Sequence, residues 1–82
     1  MSQRQAIYDY LMTGSSLNPL QALHKFNCLS LSQRISELRL HHGIPVQSIL
    51  HHTKDGKKYA IYWLECDYIA KVKAGKLPYY GV

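Results

Sequence analysis

The chain predicts an α+β domain in which helices come first and a β-hairpin follows. Two helix-length segments with clear starts and stops lie between Asn18 and Gly43. An Asp55-Gly56 pair comes next, flanked by two runs rich in β-branched and aromatic residues, which is a strong hairpin signal. The chain has 82 residues, enough for one hydrophobic core and too few for two.

Each element has local signals of its own. Helix 1 is expected over 2–13. Ser2 is a good N-cap, Gln5 three residues later completes a capping-box pattern, and Ala6, Ile7, Tyr10 and Leu11 recur at helical spacing before Gly14. Ser15 to Leu17 reads as a linker or a short strand. Helix 2 is expected over 18–26, with Asn18 as cap, Pro19 in the first turn and an apolar stripe of Leu20, Leu23 and Phe26, while Ala22 permits close helix contact. Asn27-Cys28 forms the turn, because Asn tolerates the left-handed conformation.

Helix 3 is expected over 30–42, capped by Ser30, with Leu31, Ile35 and Leu38 on its inner face and Gly43 and Pro45 ending it. The hairpin occupies 46–64, and its register is open. A two-residue turn pairs Leu50 with Ile61, whereas a bulged three-residue loop pairs Leu50 with Ala60, and the slip exchanges the aligned faces. Asp67 is expected to cap a short last helix within 67–82, through Tyr68, Ile69 and Val72. The aromatic tail Leu77 to Tyr80 closes the domain's own core or forms a dimer seam. The first of these is favoured because so small a domain has little apolar surface to spare.

Composition narrows the function. A hydrophobic content of 46% with seven Tyr and one Trp is too apolar for a disordered tail. Ten Lys and Arg against five Asp and Glu give a net charge of +5, which suits a polyanionic partner. Cys28 and Cys66 stand far apart and make no disulfide framework, so a reducing compartment is the simpler setting. Met1 to Gly14 has no apolar run of signal-peptide length and no segment is long enough to span a bilayer. A soluble cytoplasmic protein with no membrane partner is the expectation.

The order helix, turn, helix, hairpin is that of a winged helix-turn-helix: a three-helix core, a β-hairpin wing and a short C-terminal helix. Leu17, Pro19, Ala22-Leu23, Phe26, Leu31, Arg34-Ile35, Leu38-Arg39, Gly43 and Pro45-Val46 form a frame, which Gly56 and the aromatic run Tyr59 to Trp63 continue. In this frame the chain resembles a small winged helix-turn-helix family found mainly in phages and prophages. It departs from the family's habit at two points. Asn27-Cys28 stands where a turn Gly is common, and Leu40-His41-His42 stands where Lys or Arg is common before Gly43. The resemblance implies double-stranded DNA as partner and, for a phage-encoded chain, the host cytoplasm as location.

If helix 3 buries Leu31, Ile35 and Leu38, a rotation of about 100° per residue sets Gln33, Ser36, Glu37 and Leu40 opposite. Ser32 and Arg39 flank that face on one side, Ser30 and Arg34 on the other. Gln pairs with adenine and Arg with guanine, Glu accepts from cytosine and Ser is permissive. The competing reading is an ordinary solvated face, with Arg34 and Arg39 in structural ion pairs. Lys54, Lys57 and Lys58 at the wing tip suit sequence-independent phosphate contacts, or else they protect a hairpin end from aggregation. Packing is the first role expected of Leu40. The DNA-binding set is therefore Ser30, Ser32, Gln33, Arg34, Ser36, Glu37, Arg39, Lys54, Lys57 and Lys58.

The histidine pairs His41-His42 and His51-His52 point to different sides of a helix or strand, so neither chelates by itself. No metal or cofactor is expected. The acidic residues show no paired-carboxylate pattern, and neither a glycine-rich phosphate loop nor a nucleophile elbow is present, so an enzyme is not expected. Two classes of function remain. One is a DNA-binding regulatory protein, a transcription regulator or an excisionase-like factor, acting as a homodimer or a cooperative array. The other is a winged helix reused to bind a host or phage protein.

Overall fold

The computed structural model describes residues 3–81. Its elements run α1 (Gln3–Leu11), α2 (Pro19–Phe26), α3 (Leu31–His42), β1 (Val46–His52), β2 (Lys58–Leu64) and α4 (Cys66–Lys73). The expected α+β class is the one observed. The proposed Ser2 cap lies outside the described residues. Gln5 donates to Asp9 Oδ1 and to the Tyr80 carbonyl.

Local chemistry explains the element ends. Asn18 Oδ1 accepts from the Gln21 amide at 2.7 Å and Gln21 Oε1 accepts from the Asn18 amide at 3.1 Å, a reciprocal box that satisfies two donors at the start of α2. Asn27 ends that helix in the left-handed region at φ 53°. Gly43, at φ 65°, does the same for α3. Ser30 occupies the cap position of α3 but its side chain makes no capping bond. α4 starts earlier than Asp67 predicts: Glu65 is the cap residue, and Asp67 lies in the first turn, where its charge complements the helix dipole.

The core gathers Ile7, Tyr8 and Leu11 of α1, Leu17 of the segment before α2, Ile35 and Leu38 of α3, and Val46, Tyr62 and Leu64 of the hairpin, with Tyr68, Ile69 and Val72 of α4 closing one side. Leu31, Ile35 and Leu38 are the buried face of α3, as its spacing predicts. Truncating a residue such as Leu38 to Ala costs about 2–5 kcal/mol.

The predicted stripe of α2 needs correction. Leu20 is 65% exposed and Leu23 also faces solvent. Ala22 is buried instead, and Phe26, one turn on, is half-buried with its ring against Tyr10 at 5.8 Å. The side chain of Gln3 donates to the Asn27 carbonyl at 3.1 Å. α1 thus meets the C-terminal turn of α2, while Ala22 in the middle of α2 is that helix's buried residue.

The hairpin adopts the register with the three-residue loop, Leu50 opposite Ala60 and Ile49 opposite Ile61. The Thr53 amide donates to the Lys57 carbonyl at 2.8 Å. Lys54 to Gly56 close the turn, with Gly56 at φ 81°, the left-handed position such loops need. Val46, Tyr62 and Leu64 therefore share the inner face. Leu17 exchanges two backbone bonds with Tyr62, at 2.8 and 2.9 Å. The segment before α2 is thus a one-residue third strand beside β2.

The C-terminal tail lies against α1. The Tyr8 ring meets Tyr79 edge-on at 5.0 Å and Tyr80 at 5.4 Å. Tyr79 donates its hydroxyl proton to Asp9 Oδ1 at 2.6 Å. Within the same cluster the Tyr8 and Tyr68 hydroxyls are 2.9 Å apart. The tail's aromatic side chains complete the domain's own core.

Candidate nucleic-acid interface

α3 presents its outer face as predicted by periodicity, but the charges on it are not free. Ser32, Gln33 and Ser36 are exposed, Ser30 is exposed at the helix start, and Leu40 is 82% exposed beyond them. Leu40 accordingly does not pack against the wing. Arg34 Nη1 sits 2.8 Å from Glu37 Oε1, and Arg4 of α1 approaches the other oxygen of Glu37 at 3.6 Å. Glu37 Oε1 and Arg34 Nε are enclosed without a well-aligned hydrogen bond, so Coulomb attraction dominates this pair. Glu37 ties α3 to α1 through Arg4, and Arg34 pairs with Glu37 within α3, the structural role weighed against base reading.

Arg39 links α3 to the wing. Its Nε donates to the Val46 carbonyl at 2.9 Å and its Nη2 donates to Ser48 Oγ at 3.2 Å. Its guanidinium lies over the Tyr62 ring, 5.9 Å from the centroid, where cation and π-face attract. One side chain therefore sets the angle between helix and hairpin. Sequence spacing gave no sign of Arg4, Val46 or Ser48 in this scaffold, because each acts through tertiary proximity.

Lys54, Lys57 and Lys58 are all exposed around the turn, and their ammonium groups make no ion pair among the described residues. Asp55 is the one acid beside them. His51 stacks on Tyr59 across the strands at 5.0 Å, and His42 meets Tyr80 at 4.6 Å. No group of three His, Cys, Asp or Glu residues comes close enough to hold a metal ion among the described residues. Cys28 is buried and Cys66 is exposed, both as free thiols.

The geometry combines a second helix of a helix-turn-helix, its neutral polar face open, with a lysine-tipped hairpin held to it by Arg39. The sequence profile of the winged helix-turn-helix domain family matches residues 2–66. The chain belongs to that family. The match spans α1 through the wing and ends where α4 begins. Searches of the curated proteins and of the solved structures each returned no match. Winged helix-turn-helix domains are typically DNA-binding regulators without catalytic activity, which sets the broad functional class of this chain. Among the described residues no helix is long and apolar enough to cross a membrane.

Proposed function

We propose that this winged helix-turn-helix protein is a DNA-binding regulator that lays α3 in the major groove and sets its wing on the phosphate backbone. The observation that carries the reading is the Arg39 bridge to Val46 and Ser48. It makes the open face of α3 and the lysine tip one preorganised surface. Gln33, Ser32 and Ser36 then read base edges, Gln33 best suited to adenine. Ser30 lies at the N-terminal end, near a phosphate. Arg34, Glu37 and Arg39 act one step back, by orienting the helix. Lys54, Lys57 and Lys58 supply the sequence-independent part of the affinity.

The resemblance to phage and prophage domains narrows the role to a transcription regulator or an excisionase-like factor in a host cytoplasm. A repressor binds one palindromic operator as a dimer, with half-sites about one helical turn apart. An excisionase-like factor fills several direct repeats as adjacent monomers and bends the DNA. A footprint on the selected site separates the two.

The second reading is capture of a host or phage protein. Leu29 and Leu40, both strongly exposed at the two ends of α3, favour it. Salt decides between the two readings. Three phosphate contacts give a slope of about −2.7 in log affinity against log salt. Steep weakening supports DNA, and salt-insensitive binding to a protein supports the alternative.

A further inference from the structure

We propose that the free edge of β1 is a self-pairing surface, on which a second copy of this chain docks to form a four-stranded antiparallel sheet about a twofold axis at Leu50. The inference goes beyond DNA binding and does not depend on it. The sheet order is β1-β2, and Leu17 occupies the far side of β2. Among the described residues, no strand covers the other side of β1.

Register shows which groups face outward. In an antiparallel pair, residues alternate between exchanging bonds with the partner strand and pointing away from it. Thr53 bonds Lys57, so the odd-numbered residues of β1 face β2. Tyr62 confirms the phase, since both its backbone groups go to Leu17 and its opposite number is Ser48. Ser48, Leu50 and His52 therefore turn their N–H and C=O groups outward. Val46 has the same phase, but its carbonyl already accepts from Arg39 and its amide bonds Ile44. The open edge thus begins at Ser48 and ends at the turn.

Beyond Arg39 at its Val46 end, this edge lacks the usual guards. β1 is seven residues long, VQSILHH, with no Lys, Arg, Asp, Glu, Pro or Gly in it. Ile49 is 58% exposed and Leu50 is 52% exposed. Natural edges are normally blunted by charge, Pro or a covering element.

Its spacing favours a second copy as occupant. An antiparallel pair centred on Leu50 sets Leu50 opposite Leu50 and Ser48 opposite His52, so all three outward N–H groups and all three carbonyls are used. No formally charged side chain of β1 faces another. A two-stranded hairpin is marginal by itself, whereas four strands form a self-supporting sheet. The same register places Lys54 of each copy opposite Val46, beside Arg39, and this like-charge approach keeps the association reversible.

Sedimentation equilibrium of the full chain without DNA, across micromolar to millimolar concentrations, tests the proposal. A monomer–dimer equilibrium is expected. Leu50→Lys sets two ammonium groups on the axis and Leu50→Pro removes only an outward N–H. Each should weaken self-association by at least about ten-fold, with folding checked by circular dichroism. Amide exchange should show concentration-dependent protection at Ser48, Leu50 and His52. The proposal is overturned by a monomer at every concentration, by a dimer that Leu50→Lys retains, or by a dimer whose edge amides stay unprotected. A chain that stays monomeric while an added extended peptide protects those amides would also overturn it.

Discussion

In the proposed DNA-binding mode, Arg39 serves function without touching a base. Its bonds to Val46 and Ser48 fix the wing relative to α3. Arg39→Ala should lower stability by about 1–2 kcal/mol in urea denaturation, from loss of two bonds by a charged donor. The same change should weaken DNA binding by loosening the wing. Gln33 is the counter-case, exposed and without a side-chain hydrogen bond among the described residues. Gln33→Ala should leave stability within about 0.5 kcal/mol and still reduce affinity for the preferred site roughly ten-fold, since a good base contact is worth about 1–3 kcal/mol. Spacing alone sets Gln33 at the centre of the candidate face and Arg34 on its flank, both open to base reading. Only the neighbouring Glu37 and the distant Arg4 separate them, and a contact across so much intervening chain leaves no mark on local periodicity.

The tyrosines of the tail add a pH dependence at the same scale. Hydrogen bonding of Tyr79 to Asp9, helped by burial, raises its pKa to about 12. Burial, and then the bond to Tyr8, pushes Tyr68 above the ordinary tyrosine range. Both folded values exceed the unfolded value of about 10. Their contribution to stability is therefore fully present below that pH and is lost as pH rises through the folded values. Urea midpoints should fall between mildly and strongly alkaline pH, and Tyr79→Phe should shrink the fall. An unchanged midpoint in the parent chain would count against the tail's docking.

At the scale of elements, the legible signals were those that act within a few residues. The Asn18-Pro19 start, the Asn27 turn and the Gly43 stop all correspond to observed backbone geometry. Asn27 at φ 53° is a direct test of the turn. Asn27→Val should cost about 1–2 kcal/mol in thermal or urea denaturation, and Asn27→Gly should be tolerated. Amphipathicity misled for α2, because this eight-residue helix buries Ala22 while its most apolar side chains, Leu20 and Leu23, face solvent. The hairpin's register was not legible either. Asp55-Gly56 suits both turn lengths, and apolar residues stand at odd and even positions of β2, so alternation does not choose between them.

For the molecule as a whole, charge lies away from the reading face. The arginines of α3 are engaged with Glu37 of the same helix and with the wing, while the lysines at the hairpin tip make no ion pair among the described residues. Affinity and base preference should therefore separate. Lys57→Ala should lower binding to all duplexes alike and reduce the salt slope by about one, and a titration at several salt concentrations checks this. Composition carried the sign of the charge but not its placement, which depends on which basic residues the fold neutralises.

In the proposed function, α3 reads DNA through Gln33, Ser32 and Ser36 while the wing holds the backbone. Selection from randomised duplexes with the purified chain, read by sequencing, tests it most directly. An enriched site is expected for the parent chain, and for Gln33→Ala a relaxed preference at one base pair of that site. No enrichment for the parent chain, or an identical site selected by a Gln33, Ser32 and Ser36 triple-alanine variant, would contradict it.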